Sequence, residues 1–73
     1  MKNEIYEKGG FLYTLTRVNY EKWSPSKRSF YWGSGTMLIN DSGQWIYSEV
    51  FTGINKARVQ IKKDGFSKYK TVE

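Results

Sequence analysis

The chain has 73 residues, a net charge of +5 and 38% hydrophobic residues, with no cysteine and no histidine. A chain of this length forms one small domain, and its composition excludes disulfide bonds, cysteine zinc sites and histidine-based catalysis. It contains neither a membrane-spanning apolar run nor a signal-peptide pattern. We therefore expect a protein without metal or cofactor, in the cytoplasm of a bacterial cell or a phage-infected host.

Aromatic residues and an uneven charge distribution are the two unusual features. Phe, Trp and Tyr make up 18% of the chain, and so small an interior cannot enclose thirteen rings, so some are expected at the surface. Residues 54–73 hold six Lys or Arg against two acids, which gives +4 of the +5. Such a segment is either a solvated face or a footprint for a polyanion.

The N-terminal third predicts a β-hairpin. Residues 5–8 precede Gly9-Gly10, a dipeptide that supplies the positive φ angles of a two-residue turn. Residues 11–18 follow and are rich in β-branched and aromatic side chains, which predicts the central strand of a sheet. Apolar groups alternate onto both faces of this strand, so the pattern leaves open which face is the inner one.

The middle of the chain predicts a loop and a returning strand. Residues 21–28 are polar and contain Pro25, which predicts a loop that carries Trp23. Residues 29–39 return as a strand. Within it, Gly33-Ser34-Gly35 predicts either a bulge or a tight turn that divides the segment into two short strands.

Residues 40–43, Asn-Asp-Ser-Gly, have the composition of a turn in which Gly43 adopts a positive φ. Trp45, Ile46 and Tyr47 are then expected to form the next strand.

From residue 54 the apolar period becomes helical. The positions with helical spacing are Ile54, Ala57, Arg58 and Ile61. We expect a helix near residues 53–63, capped by Thr52 and ended by Asp64-Gly65. The alternative is a β-hairpin in which residues 59–62 and 66–69 flank the Asp-Gly turn. The helix is favoured because hairpins alone would leave their apolar faces uncovered.

The last segment, residues 66–72, predicts an edge strand. Lys68 and Lys70 are expected on one side of it, where charges discourage edge-to-edge pairing. The predicted fold is therefore α+β, a small antiparallel β-meander of about four or five strands with the 53–63 helix packed on one face.

Residues 40–63 carry a family resemblance. The positions concerned are Gly43, Ile46, Ser48, Phe51, Ala57 and Ile61. They follow the order of a turn ending in Gly, a strand, a Ser, an aromatic residue and a helix, and in this they resemble the ββα unit of small bacterial YegP-like proteins. The resemblance covers about a third of the chain and implies topology rather than an activity.

Enzyme activity is not expected from this inventory of side chains. The carboxylates have no telling spacing, and Ser24 and Lys27 match only the bare Ser-x-x-Lys pattern without the further motifs that such enzymes need. A binding function is left.

Trp23 is the first candidate for binding. With Lys22, Lys27 and Arg28 beside it, its ring suits stacking on a base while the cations meet phosphates. The alternative is a Trp folded back over the sheet edge. Similarly, the run Phe30-Tyr31-Trp32 is either a stacking platform or ordinary cross-strand packing.

The predicted binding residues combine these rings with the cations along the chain. They are Arg17, Trp23, Lys27, Arg28, Tyr31, Lys56, Arg58, Lys62, Lys63, Lys68 and Lys70. The favoured hypothesis is a non-catalytic protein that contacts DNA or RNA with little sequence specificity. The alternative is a protein-binding inhibitor or adaptor, such as an antitoxin, anti-defence or host-takeover protein of a phage or plasmid, that docks on an acidic surface. A homodimer formed through an aromatic sheet face is a third possibility.

Overall fold

The computed structural model describes residues 3–72, which form a four-stranded antiparallel sheet and one helix. The elements are β1 (Asn3–Lys8), β2 (Phe11–Ser24), β3 (Ser29–Ile39), α1 (Ile54–Lys63) and β4 (Ser67–Val72). The strand order is β3-β2-β1-β4. The predicted α+β meander with one helix is confirmed. Within residues 3–72, no helix has the length and apolar character needed to cross a membrane.

The β1–β2 hairpin forms as its glycines predict. Gly9 and Gly10 have φ angles of 62° and 85°, values that a two-residue turn requires at both central positions and that glycine adopts without strain. β2 pairs with β1 on one side and with β3 on the other, so the prediction of a central strand is confirmed.

The hydrophobic core lies between the sheet and α1. Tyr6, Leu15 and Leu38 supply the sheet side, while Ala57 and Ile61 supply the helix side and are fully buried. The helix therefore covers the face of β2 that carries Leu15. This is the inner face, which the apolar pattern of the sequence left open. The alternative hairpin over residues 59–69 is wrong, because a helix buries Ala57 and Ile61 on one stripe.

The start of α1 differs from the prediction. Gly53 occupies the N-cap with an extended backbone, and its position has no side-chain cap hydrogen bond, so the predicted Thr52 cap is wrong. Phe51 exchanges two backbone hydrogen bonds with Thr36, at 2.9 and 3.0 Å. This bridge fixes the chain just before the helix, so the entry into α1 is held by the sheet edge instead of by a hydroxyl cap.

Residues 45–47 do not form the predicted strand. Asn40 accepts hydrogen bonds on its side-chain oxygen from the backbone N–H groups of Ser42 and Gln44, at 3.0 and 2.9 Å. The predicted turn over residues 40–43 thus forms, with Gly43 at φ 78°. Between residues 45 and 51 the backbone then pairs with β3 at two isolated bridges, Ile39 with Trp45 and Thr36 with Phe51.

The segment over residues 45–51 wraps the outer edge of β3. On the helix side, the Tyr47 hydroxyl donates a 2.6 Å hydrogen bond to Asp64, which lowers the pKa of that carboxyl. On the other side, the Trp45 ring lies 6.4 Å from that of Tyr20. Met37, on that second face by strand alternation, is fully buried.

The polar loop predicted over residues 21–28 is wrong in its extent. β2 continues to Ser24 and pairs with Ser29, which leaves only residues 25–28 in the turn. Trp23 therefore lies in a strand opposite Phe30, and this aromatic cross-strand pair favours continued pairing over a loop.

Neither a bulge nor a turn occurs at Gly33-Ser34-Gly35. The pairing with β2 runs unbroken through all three residues. A Cβ on Gly35 would overlap Val50 and would lie 2.7 Å from the Phe51 carbonyl oxygen, so this glycine makes room for the segment that wraps the edge.

β4 forms an edge as predicted, but Lys68 and Lys70 do not lie on one side. A register shift between Ile5 and Tyr6 pairs Lys68 with Tyr6 and Lys70 with Ile5. Because neighbouring residues of β1 point to opposite faces, the bulge places the two lysines on opposite sides of the sheet.

Replacing Gly35 tests the packing of the wrapping segment. Gly35→Ala is expected to lower the free energy of unfolding by about 1–3 kcal/mol through overpacking. Gly33→Ala is the matched control on the same strand and face, because its Cβ would meet only the flexible Lys22 side chain, at 2.9 Å. Urea unfolding of both variants is the measurement. Equal effects of the two substitutions would contradict the role given to Val50.

Candidate functional site

The outer part of the β2–β3 hairpin extends beyond the rest of the sheet. β1 pairs with β2 only as far as Leu15, whereas β2 runs on to Ser24. This continuation is roughly 30 Å long at ~3.3 Å per residue, and the molecule measures 43 × 25 × 22 Å. We call residues 19–34 the arm.

Three rings share one face of the arm. By strand alternation Trp23, Phe30 and Trp32 lie on the side that α1 covers nearer the core. Their exposed fractions are 52%, 64% and 72%, because α1 does not extend over the arm. The Trp23 and Phe30 rings pack edge to face, 5.1 Å between centroids, so each is braced while it stays open to solvent.

Tyr31 lies on the opposite face of the arm. It pairs with Lys22, whose ammonium is 5.2 Å from the Tyr20 ring. The neighbouring Tyr20 hydroxyl raises the pKa of that ammonium. Tyr20 in turn packs on Trp45, so this face is tied to the wrapping segment. The face with Trp23, Phe30 and Trp32 is the more open of the two.

Cations lie at the two ends of the open face. Lys27 and Arg28 lie in the turn at the tip, where Arg28 adopts a left-handed φ of 50°. Arg17 lies at the base of the same face and donates a 3.2 Å hydrogen bond to the Ser34 hydroxyl. Glu21, opposite Trp32, is the acid on this face. Three cations and one carboxylate therefore flank the rings.

The structure divides the predicted binding residues into two groups. Arg17, Trp23, Lys27, Arg28 and Tyr31 lie on the arm or at its base. The others lie on α1 and β4: Lys56, Arg58, Lys62, Lys63, Lys68 and Lys70. Rings and cations thus come together on the arm, while the cations of the last third of the chain lie on α1 and β4.

Arg58 is held by an ion pair within the protein. Its guanidinium binds both oxygens of Glu4, with an Nε–Oε2 distance of 3.0 Å, and also Asn55. Glu4 is buried, and its carboxylate also accepts a 2.6 Å hydrogen bond from the Tyr6 hydroxyl. The Arg58 hydrogen bond lowers the pKa of Glu4, while burial raises the pKa of Tyr6 to about 12. Arg58 therefore has a structural role, because it pairs with a buried carboxylate.

A groove of about 610 Å³ opens beside this ion pair. Its charged lining residues are Glu4, Arg58, Lys62 and Lys68. Lys62 and Lys68 are therefore the charged lining residues outside the Arg58–Glu4 ion pair.

Phe30 and Trp32 were missing from the residues predicted to bind. Their alternation with Tyr31 shows that they share a face, but only the pairing across the turn brings that face together with Trp23. A hairpin turn over residues 25–28 gives this register, whereas the loop predicted over residues 21–28 leaves Trp23 outside the strand.

Comparison with protein-family models, with curated proteins and with solved structures finds no match to this chain. The resemblance of residues 40–63 to YegP-like proteins therefore stays a prediction.

Removing Arg58 tests its structural role through the pH dependence of stability. The folded pKa of Glu4 lies below its ordinary value of 4.5, so the pair stabilises the protein above that pH and ceases to do so as the pH falls through the folded pKa. Arg58→Met leaves the buried Glu4 carboxylate without its cationic partner, so it is expected to lower the free energy of unfolding at pH 7.

The loss in Arg58→Met should shrink as the pH falls through the folded pKa of Glu4, which lies below 4.5, because the carboxyl is then protonated in the wild type as well and no longer pairs with Arg58. Lys56→Met, an exposed cation of the same helix, is the control and should show no such pH dependence. Urea unfolding between neutral and acidic pH is the measurement. A loss that is the same at every pH would assign Arg58 a packing role instead.

Proposed function

We propose that the protein binds single-stranded nucleic acid, without catalysis and with little sequence specificity, through the open face of the arm. The observation that carries the proposal is the set of three exposed rings, Trp23, Phe30 and Trp32, on one face of a strand pair whose tip holds Lys27 and Arg28. Stacking on such rings tolerates any base, and the cations bind the backbone.

The spacing of the rings supports stacking by successive bases. Phe30 and Trp32 are two residues apart on one strand, which separates them by about 7 Å. Because the strand backbone fixes both rings, little conformational entropy is lost when a base stacks on each. An unpaired strand is favoured over a duplex, whose bases stack on one another and leave no face for a protein ring.

The position of the charges supports the same orientation. Lys27 and Arg28 at the tip and Arg17 at the base lie at the two ends of the ring-bearing face. A strand laid along the arm would meet a cation at each end and rings between them. Glu21 lies beside Trp32, and its charge limits the affinity that the cations alone provide.

Tryptophan fluorescence provides the direct test, because two of the three Trp residues lie on the open face. Titration with an oligothymidylate or oligouridylate of about 15 nucleotides should quench the emission, and raising the salt from roughly 50 to 200 mM should weaken the binding. An emission unchanged by every oligonucleotide at low salt would reject the proposal and leave the protein-binding alternative.

Single substitutions locate the site. Trp23→Ala or Trp32→Ala should each weaken oligonucleotide binding by about 1–3 kcal/mol, the typical contribution of one stacked base. Tyr69→Ala is the matched control, because this ring is 59% exposed and lies beside Lys68 and Lys70 on β4, away from the arm. A larger effect of Tyr69→Ala would move the site to β4.

The tip cations are tested by the salt dependence. In the double variant Lys27→Gln/Arg28→Asn, asparagine tolerates the left-handed φ of residue 28. The slope of log affinity against log salt should become shallower by about 1.5 units if both cations contact phosphates of a single strand. The control is Lys56→Gln/Lys63→Gln on α1, which should leave the slope unchanged.

A further inference from the structure

The outer edge of β3 along the arm has unused backbone hydrogen-bonding groups. Thr36 exchanges hydrogen bonds with Phe51, and Leu38 accepts one from Ile46, so the even-numbered residues of β3 point away from β2. By the same alternation Phe30, Trp32 and Ser34 direct their N–H and C=O groups outward. No backbone hydrogen bond from elsewhere in residues 3–72 reaches these three positions.

This edge also has none of the features that keep a sheet edge from pairing. Residues 29–34 contain no charged residue and no proline, and their pairing with β2 has no bulge. The opposite edge, β4, contrasts with it: Lys68 and Lys70 flank a register shift. One edge of the sheet is protected against pairing and the other is a free template.

We propose that two copies of this chain pair antiparallel along the β3 edge of the arm, with the two-fold axis through Trp32. The pairing extends the sheet across both copies and goes beyond the proposed binding of nucleic acid. In this register Phe30 of one copy lies opposite Ser34 of the other and Trp32 lies opposite Trp32, so all three outward residues of each copy are bonded.

The length of the free edge fixes this register. Pairing is bounded on one side by Arg28, in the turn, and on the other by Thr36, whose backbone groups already bond to Phe51. Trp32 lies four residues from each boundary. In an antiparallel pair centred on Trp32, Arg28 of one copy lies opposite Thr36 of the other, so the pairing ends at both boundaries together. A pair in a shifted register leaves outward groups unbonded.

A second copy fits this edge better than an unrelated strand because the side chains are self-complementary. The pairs on the two faces are Phe30 with Ser34, Tyr31 with Gly33, and Trp32 with itself. Each large ring other than Trp32 lies beside a small residue, and no like charges oppose each other. Closed two-fold pairing also uses up the edge, so it ends at a dimer.

Removing one outward N–H group tests the pairing with little change elsewhere. Ser34 does not bond to β2 through its backbone, so Ser34→Pro deletes an edge donor while β2 and β3 stay paired. Ser34→Ala is the matched control, because it removes the hydroxyl that Arg17 contacts and keeps the N–H.

Sedimentation without nucleic acid should show a reversible dimer, and Ser34→Pro should raise its dissociation constant at least about tenfold while Ser34→Ala changes it less than about twofold. A wild-type chain that stays monomeric up to about 1 mM overturns the proposal. Because nucleic acid is absent, this failure is distinct from a failure of the proposed function.

Cysteine cross-linking tests the register and does not depend on Ser34→Pro folding. The natural chain has no cysteine. Directly bonded antiparallel neighbours are about 5.5 Å apart between Cα atoms, within disulfide range, so Trp32→Cys should form an interchain disulfide on mild oxidation. Phe30→Cys, on the same face and similarly exposed, should not, because the two copies of residue 30 are about 13 Å apart. Equal cross-linking of both variants, or preference for Phe30→Cys, overturns the Trp32-centred pair.

Discussion

The unequal lengths of the strands determine the rest of this structure. β2 has 14 residues and β3 has 11, whereas β1 and β4 have six each. One helix of ten residues covers β1 and the parts of β2 and β3 beside it, while every residue of β4 is exposed. The remaining halves of the two long strands have only each other as partners. Their side chains are exposed on the face with the three rings and partly buried on the other face, and the backbone of β3 is exposed along its edge.

A core this small holds the sheet with few side chains. Leu15 and Leu38 lie opposite each other on adjacent strands and pack against Ala57 and Ile61. Glu4 lies at the margin of this cluster, where the Arg58 guanidinium and the Tyr6 hydroxyl satisfy its carboxylate. The cationic character of the last third is thus partly structural, since one of its arginines compensates a buried acid. Within residues 3–72, no ion pair holds Lys27 or Arg28 in this way.

The sequence predicted the parts of the fold that local chemistry decides. Gly9-Gly10, Gly43 and Asp64-Gly65 mark turns and a helix end through backbone conformation, and the spacing of Ala57 and Ile61 marks a helix. The errors arose where distant residues decide. Gly35 is glycine because Val50 packs over it, and the strand character of Trp23 depends on Phe30. The same long-range pairing brought Phe30 and Trp32 into the candidate site.

The two surfaces of the arm act in perpendicular directions. Ring stacking uses the face of the sheet, whereas strand pairing uses the edge of β3, so one arm can do both at once. Edge pairing would set the ring-bearing faces of two copies side by side in one continuous sheet, with a basic turn at each end. Each chain alone offers three rings, a short platform for an unpaired strand. Two copies double that platform without a new fold, and an edge with no protecting charge would then be the means by which so small a domain gains binding surface.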